Sequence, residues 1–202
     1  VSGSLAYDRI MDFPGKFADH IITDKLDVLN VSFMVDKLAE RMGGTAGNIA
    51  YALSLLGEKP AVLSALGKDN RPYLEHLNGL GVITDGILII AEENTASAYI
   101  TTDRDDNQIT TFNPGAMKSP SLFPFATPLQ KGDIGIVAPG NIEDMQSYSQ
   151  YYKTSGIYTI FDPGQSLPSW DSVALTKCIN GCTVLISNEY ELQLITEMTG
   201  LS

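Results

Sequence analysis

This sequence is poor in the side chains on which most site chemistry is built. Of 202 residues only two are cysteine and two are histidine. Cys178 and Cys182 form a C-x3-C pair with no histidine nearby, which is poor spacing for a tetrahedral zinc site. Two thiols this close can form a small disulfide loop, but without secretory features a reduced pair is the favoured reading. His20 and His76 stand alone, without the neighbours of a triad or a ligand set, and read as structural. Positive charge is also scarce: 13 Lys and Arg against 24 Asp and Glu leave a formal net charge of −11. With no basic cluster, a nucleic-acid partner and an anionic membrane surface are both disfavoured. No apolar run reaches the ~18 residues that a membrane-spanning helix needs. The opening VSGSLAYDRIMDFPGKF lacks the basic-then-apolar order of a signal peptide, so a cytoplasmic location is expected. The chain also opens without an initiator Met, in what reads as a strand, so a few residues are expected to precede Val1. The Asn30-Val31-Ser32 sequon is then read as chance. The motifs G-x-x-x-x-G-K-[ST], G-x-G-x-x-G, G-x-S-x-G and D-F-G are all missing.

What is present is an ordinary globular composition: 44% hydrophobic residues, 18% charged, 18 Gly and 10 Pro. That suits a sizeable core with many turns. Strands are expected over Val1–Leu5, Pro60–Leu66, Gly86–Ile90, Ile134–Ala138, Ile157–Phe161 and Thr183–Ser187. Helices are expected over Asn48–Leu56, Arg71–Leu80, Ile142–Lys153, Ser169–Cys178 and Glu189–Met198. In the first helix Ile49, Ala52, Leu53 and Leu56 share one apolar stripe at i, i+3, i+4, i+7. The alternation of strand and helix predicts an α/β fold with a mostly parallel central sheet and helices on both faces. Two polar, extended insertions interrupt it, at about 7–42 and 91–115. The first holds extended candidates at His20–Thr23 and Leu29–Val35, the second a hairpin of Ala96–Thr102 with Gln108–Phe112. They are expected to pair into a small β lid over the carboxyl rim of the sheet, where such folds bind ligands.

The strongest local signal is Gly43-Gly44-Thr45-Ala46-Gly47-Asn48-Ile49-Ala50, three glycines leading into the clearest helix. It would let a ligand approach backbone at a helix N-terminus, with the Asn48 amide reading a pair of hydroxyls. The structural alternative is a glycine turn with Asn48 as N-cap. Carried on to Gly57, this segment resembles the first signature of the ribokinase (PfkB) family of sugar and nucleoside kinases. Gly3-Ser4-Leu5-Ala6-Tyr7-Asp8 resembles that family's opening strand and turn. Gly67-Lys68-Asp69 with Gly81-Val82 resembles its G-x-D stretch, and Asn188-Glu189-Tyr190-Glu191 its N-x-x-E element.

The resemblance implies a ribokinase-like fold and ATP-dependent phosphorylation of a hydroxymethyl group, with magnesium as the metal. Asp8, Gly43, Gly44 and Asn48 would bind the acceptor sugar. Asn188 and Glu191 would act through water on the metal and phosphates, although Glu191 can equally be a first-turn acid favoured by the helix dipole. Asp162-Pro163-Gly164 resembles a rim segment to which no role is given. The family's second signature, D-T-x-G-A-G-D, supplies the anion hole and the base that deprotonates the attacking hydroxyl, and it is absent. Residues 1–202 therefore read as the N-terminal two thirds of such a kinase, with no catalytic base and no nucleotide pocket, and inactive alone.

The opening stretch is similar to adenosine-kinase-like members, which makes adenosine, converted to AMP, the expected substrate. Phe13, Phe17, Phe33 and Phe112, with Tyr7 and Tyr99, are lid aromatics on which a purine could stack or which simply fill the lid. Ribose and fructose-type sugars, or a non-catalytic nucleoside-binding module, are the alternatives. A generic dehydrogenase is disfavoured by the missing dinucleotide fingerprint. The chain is expected to be a monomer, or a homodimer through the lid.

Overall fold

The computed structural model describes residues 1–22, 27–121, 129, 130 and 132–201. In chain order the elements are β1 (Ala6–Asp12), β2 (Lys37–Gly43), α1 (Thr45–Leu55), β3 (Ser64–Gly67), α2 (Arg71–Gly79), β4 (Ile87–Ile90), β5 (Ala96–Thr102), β6 (Gln108–Asn113), β7 (Ile134–Val137), α3 (Ile142–Thr154), β8 (Tyr158–Phe161), α4 (Ser172–Ile179), β9 (Val184–Leu185) and α5 (Glu189–Thr199).

The body is a parallel sheet in the order β9-β8-β7, then Ser2, then β3-β4. Ser2 joins the halves by parallel bridges to Leu63 and Val137, with its N–H donating to the Ile136 carbonyl at 2.8 Å. Right-handed crossovers running outward in both directions from this central segment put α1 and α2 on one face and α3 and α4 on the other. Neighbouring residues record the two faces. Val62 packs with Leu5, Ala50, Tyr73 and Leu77, while Leu63 belongs to the opposite core of Val137, Met145, Tyr152, Phe161 and Trp170.

The lid is a four-stranded sheet in the order β2-β1-β5-β6. It assembles from the two expected insertions, with β1 and β5 parallel and both edge strands antiparallel to them. At its tip Asp103 accepts from the backbone N–H groups of Phe17, Asp105 and Asn107 at 2.9 Å each, closing the β5–β6 turn onto the loop after β1.

Three expectations need correction. Val1–Leu5 is not a regular strand; only Ser2 bridges, and the regular strand begins at Ala6 and belongs to the lid. A side chain at Gly3 would come within 2.6 Å of Thr45 Oγ1, so this stretch is shaped by packing against α1. The lid strands over residues 7–42 are Ala6–Asp12 and Lys37–Gly43, whereas His20–Ile22 and Leu29–Val35 lie outside any strand and Thr23 lies outside the described residues. Finally, α1 buries Ala46, Gly47 and Ala50, not the larger stripe, and Leu56 at its end is 79% exposed. The small face wins because it lets the helix lie close to Leu5 and Tyr73.

Asp69 anchors the lid to the body. Its carboxylate accepts the Thr95 N–H at 2.7 Å and the Thr95 hydroxyl at 2.6 Å, immediately before β5 leaves the body. Burial pushes this carboxyl up, but the two Thr95 bonds outweigh it and its pKa lies below the ordinary value. A depressed carboxyl contributes stability above its unfolded pKa that is lost as pH falls through the folded one. Asp69→Ala should therefore lower stability by about 1–3 kcal/mol at neutral pH. In denaturant titrations that difference should shrink towards zero below the ordinary Asp range, and limited proteolysis should cut the lid first.

Candidate functional site

A cleft of about 510 Å³ lies between the lid and the carboxyl rim of the body. Ala6, Asp8, Ala98 and Phe112 line it from the lid; Ser4, Gly44, Thr45, Asn48, Pro139, Gly140 and the turn residues Gln165, Ser166 and Ser169 line it from the body. The lid contribution follows from strand register. Asp8 lies opposite Ala98, and Ala98 opposite Phe112, so the three share one face of the sheet. The alternate residues Tyr7, Arg9 and Tyr99 face the other way, where the Arg9 guanidinium lies over both tyrosine rings and pairs with Glu40 at 2.8 Å.

Asp8 is the unusual group. It is half-buried, and among the described residues its carboxylate has neither a hydrogen-bond donor nor a cation. Burial alone raises its pKa above the ordinary Asp value. The carboxylate fits only because residue 43 is glycine: a Cβ there would run into its Oδ2 and come within 2.8 Å of Cγ. Gly44 is needed next to it. With φ at +87° it turns the end of β2 into α1, and a side chain would meet the Ser4 carbonyl at 2.6 Å. Thus Asp8, Gly43 and Gly44 meet at one corner, and Asn48, exposed on the first turns of α1, borders the same cleft.

Asn48 is not the N-cap of α1; Gly44 is. The first amides of α1 are already used, with Thr45 N–H donating to Ser4 Oγ and Ala46 N–H to the Ser4 carbonyl, both at 3.0 Å. That corner is therefore satisfied by protein rather than being an open anion site.

Asn188 and Glu191 do not reach the cleft. They cap α5 reciprocally: Asn188 N–H donates to Glu191 Oε2 at 2.9 Å, and Glu191 N–H donates to Asn188 Oδ1 at 2.8 Å. Glu191 still has a charge-based neighbour. Burial first, and then the Glu191 carboxylate, raise the pKa of Asp162, which follows β8 at the rim. Among the described residues no group of three or more His, Cys, Asp or Glu side chains is arranged to hold a metal directly.

The lid aromatics divide. Phe13, Phe17 and Phe33 form their own cluster, with centroids 4.9–5.8 Å apart, and His20 packs edge-on against Phe13. It lies beyond the far end of β1, and Asp12 is already roughly 13 Å of strand from Asp8. These rings fill the lid tip. Tyr7 is buried and donates to the Asp69 carbonyl at 3.0 Å. Only Phe112 faces the cleft. Sequence reasoning missed Gln165, Ser166 and Ser169, because residues Gly164–Ser169 form a 3-10 turn where the sequence signalled only the approach to a helix.

Comparison with known proteins bears on the family and the fold. Residues 16–202 match the profile of the pfkB family carbohydrate kinases. A nucleoside kinase of Methanothermobacter thermautotrophicus is 29% identical over 182 residues, which are 88% of this chain and 59% of that protein. The Methanocaldococcus jannaschii nucleoside kinase is 31% identical over 174 residues, 84% of this chain and 56% of that one. Among solved structures, Burkholderia thailandensis nucleoside kinase in complex with inosine superposes with a TM-score of 0.83 at 39% identity, over 100% of this chain and 64% of that one. The chain thus spans less than two thirds of the length of these relatives.

The capping box makes a separable prediction. Asn188→Ala should cost about 1 kcal/mol of stability through loss of the cap, read as a lower Tm in the absence of any ligand. Taken together, the family match, the superposition and the lid over the rim of a parallel sheet make this chain a member of the pfkB family of carbohydrate kinases, with the ribokinase-like fold.

Proposed function

We propose that this chain forms the acceptor-binding part of an ATP-dependent kinase that phosphorylates the hydroxymethyl group of a nucleoside, with adenosine the first acceptor to consider. The observation that carries this is the Asp8 carboxylate, half-buried, unpartnered and facing the cleft. An ionised carboxylate suits a pair of ribose hydroxyls, because it accepts from both at once and each charge-assisted bond is strong. Asn48, on the body side of the cleft, offers a further donor and acceptor to the same sugar. Phe112 lies two strands from Asp8, roughly 10 Å across the sheet, with the small Ala98 between. That leaves room for a flat base beside the sugar, which ribose or fructose would leave empty. The inosine-bound Burkholderia relative supports a purine nucleoside.

Asp162 and Glu191 suit a hydrated magnesium ion. They are hard oxygen donors, the Glu191 carboxylate is near enough to add to the burial that raises the pKa of Asp162, and Glu191 retains an oxygen not used in its cap. When bound there, through water, the ion would neutralise phosphate charge. What this chain does is position: it holds the acceptor against a rigid corner and covers it with a lid, and phosphoryl transfer depends mostly on such positioning. The base and the anion hole belong to the D-T-x-G-A-G-D signature, which these 202 residues do not contain.

In the full-length protein, ATP-dependent ADP release with adenosine, inosine, ribose and fructose tests the proposal. Turnover should be fastest with a purine nucleoside and should yield its 5′-monophosphate. Preference for a free sugar, or binding without turnover, would overturn it. Asp8→Ala should raise KM for the nucleoside by roughly 10–100-fold, the loss of a hydrogen-bonded charge. Asp8 also predicts a pH signature. Its raised pKa puts the acid limb of kcat/KM above the ordinary Asp range, since binding needs the ionised form. The same shift means that the free protein loses stability as pH rises through the interval between the unfolded and folded pKa values. Asp8→Asn should therefore leave the unliganded Tm unchanged or higher at neutral pH while weakening nucleoside binding.

A further inference from the structure

We propose that Tyr73, outside the cleft on α2, is a positioning residue whose hydroxyl pins the Gly43 carbonyl and so holds the corner against which Asp8 sits. The inference rests on the acceptor-site reading above. Tyr73 is 2% exposed, and its Oη donates to the Gly43 carbonyl at 2.6 Å. Gly43 is the residue whose missing Cβ makes room for the Asp8 carboxylate, so any movement of its backbone moves that wall. Burial, and after it the neighbouring Tyr7 and Asp8, push the Tyr73 pKa far up, so the phenol stays a donor at every relevant pH.

The chain makes room for this hydroxyl at a second glycine. Gly47 lies one turn into α1, and a Cβ there would occupy the place of Tyr73 Oη. The next nearest atoms, Leu5 Cδ2 and Tyr73 Cζ, would stand at 3.3 Å, a tight but tolerable approach. Glycine inside a helix is otherwise unfavourable. Gly43, Gly47 and the Tyr73 hydroxyl therefore form one device. One glycine accepts the pin, the other clears its path, and Tyr7, with its ring centroid 5.6 Å from that of Tyr73, backs it.

The test is a cycle of Tyr73→Phe, Gly47→Ala and the double variant in the full-length protein, read by nucleoside kinetics and by amide hydrogen exchange over residues 43–48. Tyr73→Phe should raise the nucleoside KM roughly three- to tenfold, with kcat and the KM for ATP within about twofold of wild type. It should also speed exchange at the corner without ligand present. Gly47→Ala should reproduce both effects by displacing the hydroxyl. The double variant should be no worse than Tyr73→Phe alone, since the phenylalanine ring has no Oη to displace. Unchanged KM and exchange in Tyr73→Phe, or additive losses in the double variant, would overturn the inference. Wild-type protein that turns over no nucleoside, with exchange still responding as described, would instead count against the acceptor reading while the pin itself stands.

Discussion

Two adjacent positions without side chains set the geometry of the whole site. At Gly43 the lid strand β2 ends against the Asp8 carboxylate, and at Gly44 the chain turns into α1 against the Ser4 and Ala6 backbone. A methyl group at either position would separate β1 from the β2–α1 junction. The corner is then closed by exchange: Ser4 Oγ accepts from Thr45 N–H at 3.0 Å, and Thr45 Oγ1 accepts from Ser4 N–H at 3.1 Å. The Thr45 hydroxyl also donates to the Pro139 carbonyl at 2.6 Å, which brings the segment after β7 into the same knot. Lid, first helix and both halves of the sheet meet here, so the cleft is built where the chain has least freedom.

The carboxylates of the chain fall into two kinds, and the difference follows from their donors. Asp69 and Asp103 are surrounded by backbone, hydroxyl and amide donors, and both are held below the ordinary Asp value despite burial. They complete hydrogen bonds that join lid to body and tip to tip, and they need nothing from outside. Asp8 and Asp162 are pushed the other way: Asp8 by burial with no donor against it, Asp162 by burial and then the Glu191 carboxylate, which together outweigh its one backbone donor, Gly164 N–H. A buried acid with too few donors costs the fold stability, and a ligand that supplies the missing partners restores it. Both lie at the carboxyl rim, Asp8 on the lid side and Asp162 just after β8. The electrostatics thus separate framework from site without appeal to any relative.

Much of this was legible in the sequence because the signals were local. Ala96–Thr102 alternates and is bounded by turns, and it forms a strand over the same residues. The body helices begin and end at caps that the sequence spells out, Gly81 after α2 and Gly200 after α5 among them. The failures came where long-range packing overrules local pattern. The sequence marks an apolar stripe of Ile49, Ala52, Leu53 and Leu56 on α1, but the helix is drawn in through Ala46, Gly47 and Ala50, so small residues mark the contact. Glu191 carried two readings, a metal-linked acid and a first-turn acid, and its capping box with Asn188 leaves one carboxylate oxygen over, so the cap does not decide between them. The aromatic residues of the lid could not be sorted by sequence, because strand register decides which of them face the cleft.

That sorting has a consequence for where acceptor choice resides. β1 and β5 run as parallel neighbours out of the body, and β6 returns antiparallel, so Asp8, Ala98 and Phe112 all lie at the root of the lid. The Phe13–Phe17–Phe33 cluster and the Asp103 turn occupy the tip. The root is fixed to the body through Asp69 and through the Tyr73 hydroxyl, whereas among the described residues the tip is held by contacts within the lid, its ring cluster, the Asp103 hydrogen bonds and the Lys16–Asp105 ion pair. Contacts that discriminate between acceptors need groups fixed to a fraction of an ångström, because a loosely held donor or ring spends its binding energy on being ordered. A rigid root and a self-packed tip therefore divide the work of the lid. Under the proposed function the root reads the acceptor, and the tip keeps four strands together so that the root has a sheet to stand on.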